Sequence, residues 1–140
     1  MTIATPLLDW YATLTPQTLA LAERYYAADA RFRDPFNDVQ GVPAITAIFE
    51  HMFASTEQPR FVIVDCIVQD QQAFATWTFS FGLRGQTYQI EGGSHLRFDA
   101  QGRVTHHRDY WDAAEELLQK LPVVGGPIRW LRRKFRVHTG

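Results

Sequence analysis

The chain has a single cysteine, Cys66, in 140 residues. That excludes an internal disulfide and any cysteine-based zinc cage. Cys66 lies in the apolar run Phe61-Val62-Ile63-Val64-Asp65-Cys66-Ile67-Val68, where a buried core thiol is expected. Net charge is also scarce. Fourteen basic residues against fifteen acidic ones leave −1, which argues against a dedicated nucleic-acid binder. No apolar run approaches the ~20 residues needed to span a bilayer. The N-terminus lacks a basic segment followed by an apolar core, so no secretory signal is expected and a cytoplasmic protein is the default. Repeats, low-complexity tracts and linkers are absent.

What is present is apolar and aromatic, at 46% and 14% of the residues, so global disorder is excluded. The length fits one domain, since domains typically run ~100–150 residues. Leu7, Leu8, Tyr11 and Leu14 recur at helical spacing after Pro6. Thr15-Pro16 reads as an N-cap and first helical position, with Leu19, Ala22, Tyr25 and Tyr26 on one face of a second helix. The stretch from Asp29 to Pro35 reads as extended. Gly41 and Pro43 precede a third helix, about Ala44 to Ser55, whose stripe is Ile45, Ile48, Phe49, Met52 and Phe53.

The period then changes to two. Residues 60–69, 73–84, 87–99 and 103–111 are four strand candidates joined by hairpin-length breaks. Helices followed by an antiparallel meander predict an α+β fold, a curved sheet wrapped around the N-terminal helices as a cone with its pocket at the open end. The last hairpin is the most informative stretch. Three of the five histidines, His95, His106 and His107, sit there with Arg108, Asp109, Tyr110, Trp111 and Asp112.

Tyr25 through Pro35, Gly41 leading a helix, Phe98-Asp99-Ala100-Gln101-Gly102-Arg103-Val104 and Tyr110-Trp111-Asp112 together resemble the nuclear-transport-factor-2-like superfamily, over about residues 7–116. That group includes ketosteroid isomerases, SnoaL-like polyketide cyclases and limonene epoxide hydrolases, so the resemblance implies the cone fold and leaves the activity open. Asp34 matches the aspartate of the family's Asp-Pro motif, the general base in the isomerases. The isomerases' oxyanion-hole tyrosine and neutral acid fall on Trp10 and Ser94, so that donor set is not matched. The cyclases' histidine and aspartate, on neighbouring strands, fall on His95 and Asp109. Asp34, Arg108 and Asp109 are the residue types of the epoxide hydrolases, without a spacing match.

Asp34 reads equally as a turn cap. With a bulge at Gly102, His95, His107 and Asp109 share one sheet face. Without it Ser94 takes the place of His95, because a one-residue slip exchanges the faces. The expected catalytic residues are thus Asp34, His95 and Asp109. Trp10, Tyr26, Phe53, His107 and Trp111 are expected to bind ligand. The resemblance implies no cofactor, and adjacent His106 and His107 point to opposite faces, so no metal site is expected. The expected ligand is a small, apolar or polycyclic molecule, bound by an enzyme doing proton-transfer chemistry or by a non-catalytic sensing or protein-binding module. A homodimer through the outer sheet face is expected, and no nucleic-acid partner. Residues 112–121 read as a further helix. Residues 127–136 read as a basic amphipathic helix with Ile128, Leu131 and Phe135 as its stripe, which docks on the domain rather than on a membrane.

Overall fold

The computed structural model describes residues 1–112. The expected helix over 112–121, apart from Asp112, and the one over 127–136 lie outside the described residues. In chain order the elements are helix α1 (Thr5–Ala12), a 3-10 helix (Thr18–Arg24), strands β1 (Tyr26–Arg33) and β2 (Asp38–Gln40), helix α2 (Val42–Ser55), and strands β3 (Glu57–Gln69), β4 (Gln72–Leu83), β5 (Gln86–Phe98) and β6 (Val104–Tyr110). The strands form one sheet in the order β2-β1-β6-β5-β4-β3. Every neighbouring pair is antiparallel except β1 and β6, which run parallel. This is the expected α+β architecture, with a curved sheet and helices on its inner face.

Helix α1 starts with Pro6 in its first turn, where the missing N–H costs nothing, and buries Leu7, Trp10 and Tyr11 at spacings of three and one. Thr15 does initiate the next segment. Its Oγ1 accepts from the Thr18 N–H at 3.1 Å, and Thr18 Oγ1 accepts from the Thr15 N–H at 2.8 Å. The segment is a 3-10 helix that ends at Arg24, however, so Tyr26 opens a strand instead of closing a helical face. The short strand β2 was not legible because three residues carry too little pattern. The main core joins Leu7, Trp10, Ile45 and Phe49 from the helices to Phe32, Leu96 and Val104 from the sheet. No helix among the described residues is long and apolar enough to cross a membrane.

The hairpins set the registers. Arg84 and Gly85 both have positive φ, 53° and 79°, the backbone that a two-residue turn between twisted strands requires. At the β5–β6 turn Asp99 Oδ1 accepts from the Gln101 and Arg103 N–H groups, both at 2.9 Å. Phe98 then pairs with Val104, but Arg97 pairs with His106, so Thr105 is the extra residue of a bulge. Beyond that bulge Ser94 faces Asp109, Leu96 faces His107, and His95 faces Arg108. Cys66 corrects the expectation of a core thiol: it is exposed, on the sheet's edge strand β3.

Gly92 is fixed by packing. A Cβ there would lie 2.6 Å from Trp77 Cη2 and 2.9 Å from the Tyr110 carbonyl oxygen. At Gly93 the clash would be with the ring of Phe74, which is 40% exposed on the outer face and free to turn away. Gly92→Ala should therefore cost about 1–3 kcal/mol by overpacking, and Gly93→Ala clearly less, in urea unfolding of the two variants beside the parent.

Candidate functional site

Five strands and helices converge on one buried polar chain. Asp109 and His107 stand two residues apart on β6 and so share the inner face, with Ser94 beside Asp109 on β5. Trp77 on β4 lies diagonally next to Ser94, since Ala75 is the residue paired with it. Tyr26 comes from β1, and Tyr11 comes down from α1. Ser94 and His107 are the buried polar residues of the described core, at 4% and 3% exposure.

The hydrogen bonds run in one direction. Trp77 Nε1–H donates to Ser94 Oγ at 2.9 Å, and the Ser94 hydroxyl donates to Asp109 Oδ1 at 2.5 Å. His107 Nε2 reaches the same Oδ1 at 2.6 Å. On the far side of the ring, the Tyr11 and Tyr26 hydroxyls each lie 2.8 Å from His107 Nδ1 and bond to one another. The count of protons assigns the tautomer. Asp109 as a carboxylate can only accept, so Nε2 carries the histidine proton. Nδ1 then accepts from one tyrosine, and the second tyrosine donates to the oxygen of the first. Every proton in the chain is used, and each points toward Asp109.

Burial pushes both phenols well above their ordinary value of 10.0. For Tyr11 the neighbouring Tyr26 adds to the rise, followed by the Asp109 charge. For Tyr26 the bond from Tyr11 works against the rise and the Asp109 charge adds to it. Both therefore stay protonated as donors. Asp109 Oδ2 accepts no hydrogen bond from the described residues. Asp109 lines a narrow cleft with Leu8, Tyr11, Phe49, Phe61 and Trp77, whose space of about 10 Å³ admits about one water molecule. Leu8, Phe61 and Ile63 also line a groove of about 420 Å³ between α1 and β3, so the groove adjoins the cleft.

Residues 7–107 match the family model described as SnoaL-like domain. The chain belongs to that family. The SnoaL-like domain also shares its fold with solved structures of low sequence identity. An NTF2-like protein of unknown function from Burkholderia pseudomallei is 18% identical, with a TM-score of 0.72 over 82% of this chain and 95% of that one. A protein of ketosteroid-isomerase-like fold from Catenulispora acidiphila, solved in complex with trimethylamine, is 18% identical, with a TM-score of 0.70 over 82% and 88%. An LEH-like epoxide hydrolase from M. tuberculosis is 14% identical, with a TM-score of 0.69 over 81% and 85%. No curated protein matches the chain in sequence.

Within the SnoaL-like domain, three of the expected site residues come together: Asp109, His107 and Tyr26. The others do not. Asp34 is half-buried in the β1–β2 turn, where its Oδ1 accepts from the Phe36 and Asn37 N–H groups at 2.8 and 2.6 Å. It is a turn cap, and it does not line the Asp109 cleft. His95 stands on the outer face, with Nε2 2.9 Å from Gln72 Oε1. The expected His95–Asp109 pair is not formed, because the Thr105 bulge puts Ser94 opposite Asp109. Arg108 is also on the outer face, over the Tyr110 ring at 4.7 Å, so it forms no trio with Asp34 and Asp109. Trp10 is a core residue that donates to the Thr18 carbonyl at 2.9 Å and stacks on Tyr25. Phe53 lines a different groove, with Tyr11, Pro59 and Phe61. Trp111 is half-buried, edge-on to Phe36 at 5.7 Å.

Tyr11 and Trp77 are the members that sequence reasoning did not place in the site, and Ser94 stood there only in the alternative register. One signal was available: a buried tyrosine or tryptophan needs a partner for its polar atom. Tyr26→Phe removes one hydrogen bond from the chain, leaving Tyr11 as the donor to Nδ1, and should cost about 1 kcal/mol at neutral pH. The raised phenols also set a pH window. Below pH ~10 tyrosines are protonated in both the folded and the unfolded chain, and their contribution is complete. Above it the unfolded chain releases protons that the folded one keeps, so stability falls as pH rises. Melting curves from pH 8 to 11.5 should show that decline in the parent and a shallower one in Tyr26→Phe.

Proposed function

We propose that the SnoaL-like domain binds a small, largely apolar molecule in its cone and takes a proton from it with Asp109, without a cofactor. The observation that carries this reading is the asymmetry of the carboxylate. Oδ1 is fixed by Ser94 and His107, while Oδ2 has no partner among the described residues, and Asp109 lines the cleft. A base must be held in place and still keep a lone pair for the substrate. The adjoining groove offers the volume, with Leu8, Phe61, Val62 and Ile63 lining it beside Asp9 and Arg60, so the body of the ligand lies between α1 and β3 and its reacting group reaches inward past Phe61. His107 and the two tyrosines then act on Asp109 as positioning residues, because no proton of theirs faces the cleft unspent.

A second reading, a non-catalytic module, is favoured by the same cleft's small size. Rings from Tyr11, Phe49, Phe61 and Trp77 line it, and the space between them is about 10 Å³. Deuterium exchange into a panel of apolar carbon acids, followed by proton NMR, separates the two. General-base catalysis typically supplies ~10²–10⁴ in rate, so Asp109→Asn should lose about that factor with its melting temperature kept, since asparagine can still accept from Ser94 and His107. Equal exchange by parent and variant would leave the non-catalytic reading.

The outer sheet face supports a proposed homodimer. Ile67, Phe74 and Tyr110 are exposed there at 72%, 40% and 46%, with Phe74 directly between Ile67 and His95 in the sheet. Light scattering behind gel filtration should give twice the chain mass for the parent and a shift toward monomer for Phe74→Glu.

A further inference from the structure

The proton count around Asp109 says what kind of group the cleft is missing. The hydroxyls of Tyr11 and Tyr26 are spent on His107 and on each other. The His107 Nε2–H and the Ser94 hydroxyl are spent on Asp109 Oδ1, and the Trp77 indole N–H is spent on Ser94. The cleft thus presents one free polar atom, an acceptor, and no free donor among the described residues. A carbonyl or other pure acceptor placed there would set its lone pairs against those of Oδ2. Its complement is a group that brings N–H or O–H protons.

Charge narrows the choice. Among the described residues, Arg and Lys are absent from the lining of the cleft, while Arg60 and Asp9 line the adjoining groove. The ion pairs among the described residues are Arg31–Asp38 at the surface and the His107–Asp109 contact itself. Among the described residues, no Lys or Arg side chain pairs with Asp109, whose partners are Ser94 and His107 on Oδ1. The walls point the same way. Phe49, Tyr11, Phe61 and Trp77 form a contiguous run of rings, with centroids 5.8, 5.8 and 5.6 Å apart. Phe61 and Trp77 meet at 88°, so a corner of the cleft is bounded by two aromatic rings at right angles. Aromatic faces attract cations through the ring quadrupole, most strongly where water is excluded.

We propose that the Asp109 cleft recognises the protonated amino group of a small apolar amine, with an N–H on Oδ2, the charge against the aromatic walls and the apolar body in the groove between α1 and β3. This rests on the binding half of the function proposed above and is independent of proton transfer.

The test uses three shape-matched probes, benzylammonium, benzyl alcohol and benzoate, titrated into the full chain by calorimetry at neutral pH. Benzylammonium should bind at least about ten-fold tighter than benzyl alcohol, and benzoate should not bind. Asp109→Asn should bring the ammonium and the alcohol to similar affinity. Phe61→Leu, which removes a ring and no hydrogen bond, should weaken ammonium binding about three-fold, the low end of a cation–π contact, with the alcohol less affected. Equal affinity for ammonium and alcohol, tightest binding of benzoate, no binding of any probe, or an ammonium preference that survives Asp109→Asn would each overturn the proposal. If ammonium fails while Asp109-dependent deuterium exchange into a neutral carbon acid persists, the amine assignment falls alone. If ammonium binds and no exchange is found, only the catalytic half of the proposed function falls.

Discussion

Asp109 Oδ1 receives two hydrogen bonds, from Ser94 Oγ and His107 Nε2, and the inner face of the sheet is organised around that atom. A partly buried carboxylate is expensive to desolvate unless donors compensate it. Each donor here is in turn held by another group, Ser94 by Trp77 and His107 by the tyrosine pair. The consequence reaches outward into the packing. Trp77 must lie flat against β5 to reach Ser94, so its ring crosses the space where a side chain at position 92 would stand, and glycine occupies it. Tyr26 must open β1 rather than close a helix, and Phe32 on the same strand then packs on the His107 ring at 4.6 Å.

The arrangement is rigid on one side of the carboxylate and open on the other. Sheet registers, a buried histidine and two protonated phenols fix Oδ1, so its position has little freedom to adjust to a ligand. In the proposed function, specificity falls to what meets Oδ2 and to the rings beside it. An enclosed acceptor beside aromatic faces discriminates by charge and by proton-bearing groups more strongly than by size, because an unpaired polar atom in a desolvated site costs more than a missing methylene.

Much of this architecture was legible in the sequence, since hydrophobic period reports secondary structure directly. The change from period 3.6 to period 2 near residue 56, the hairpin breaks and the motif order led to the α+β cone and the SnoaL-like family. Thr15 was readable as an initiator of its helical segment, and Asp34 as a turn cap, one of its two readings. The cleft was only half legible. Asp109, His107 and Tyr26 were named, but Asp109 was assigned to His95, and Trp10 to the ligand. Neither error is one of residue type. Trp10 finds its partner in a backbone carbonyl eight residues away, which no side-chain pattern announces.

The sequence by itself determined which residues alternate along each strand, and therefore that His107 and Asp109 share a face. Parity within a strand is a property of the backbone and needs no partner. Which residues of β5 share that face with them was decided by tertiary structure alone. A single extra residue at Thr105 shifts the β5–β6 register by one, and it exchanges His95 for Ser94 beside the carboxylate. Bulge position depends on how the Asp99 turn is closed, which is local, and on which face the helices cover, which is set by residues distant in the chain.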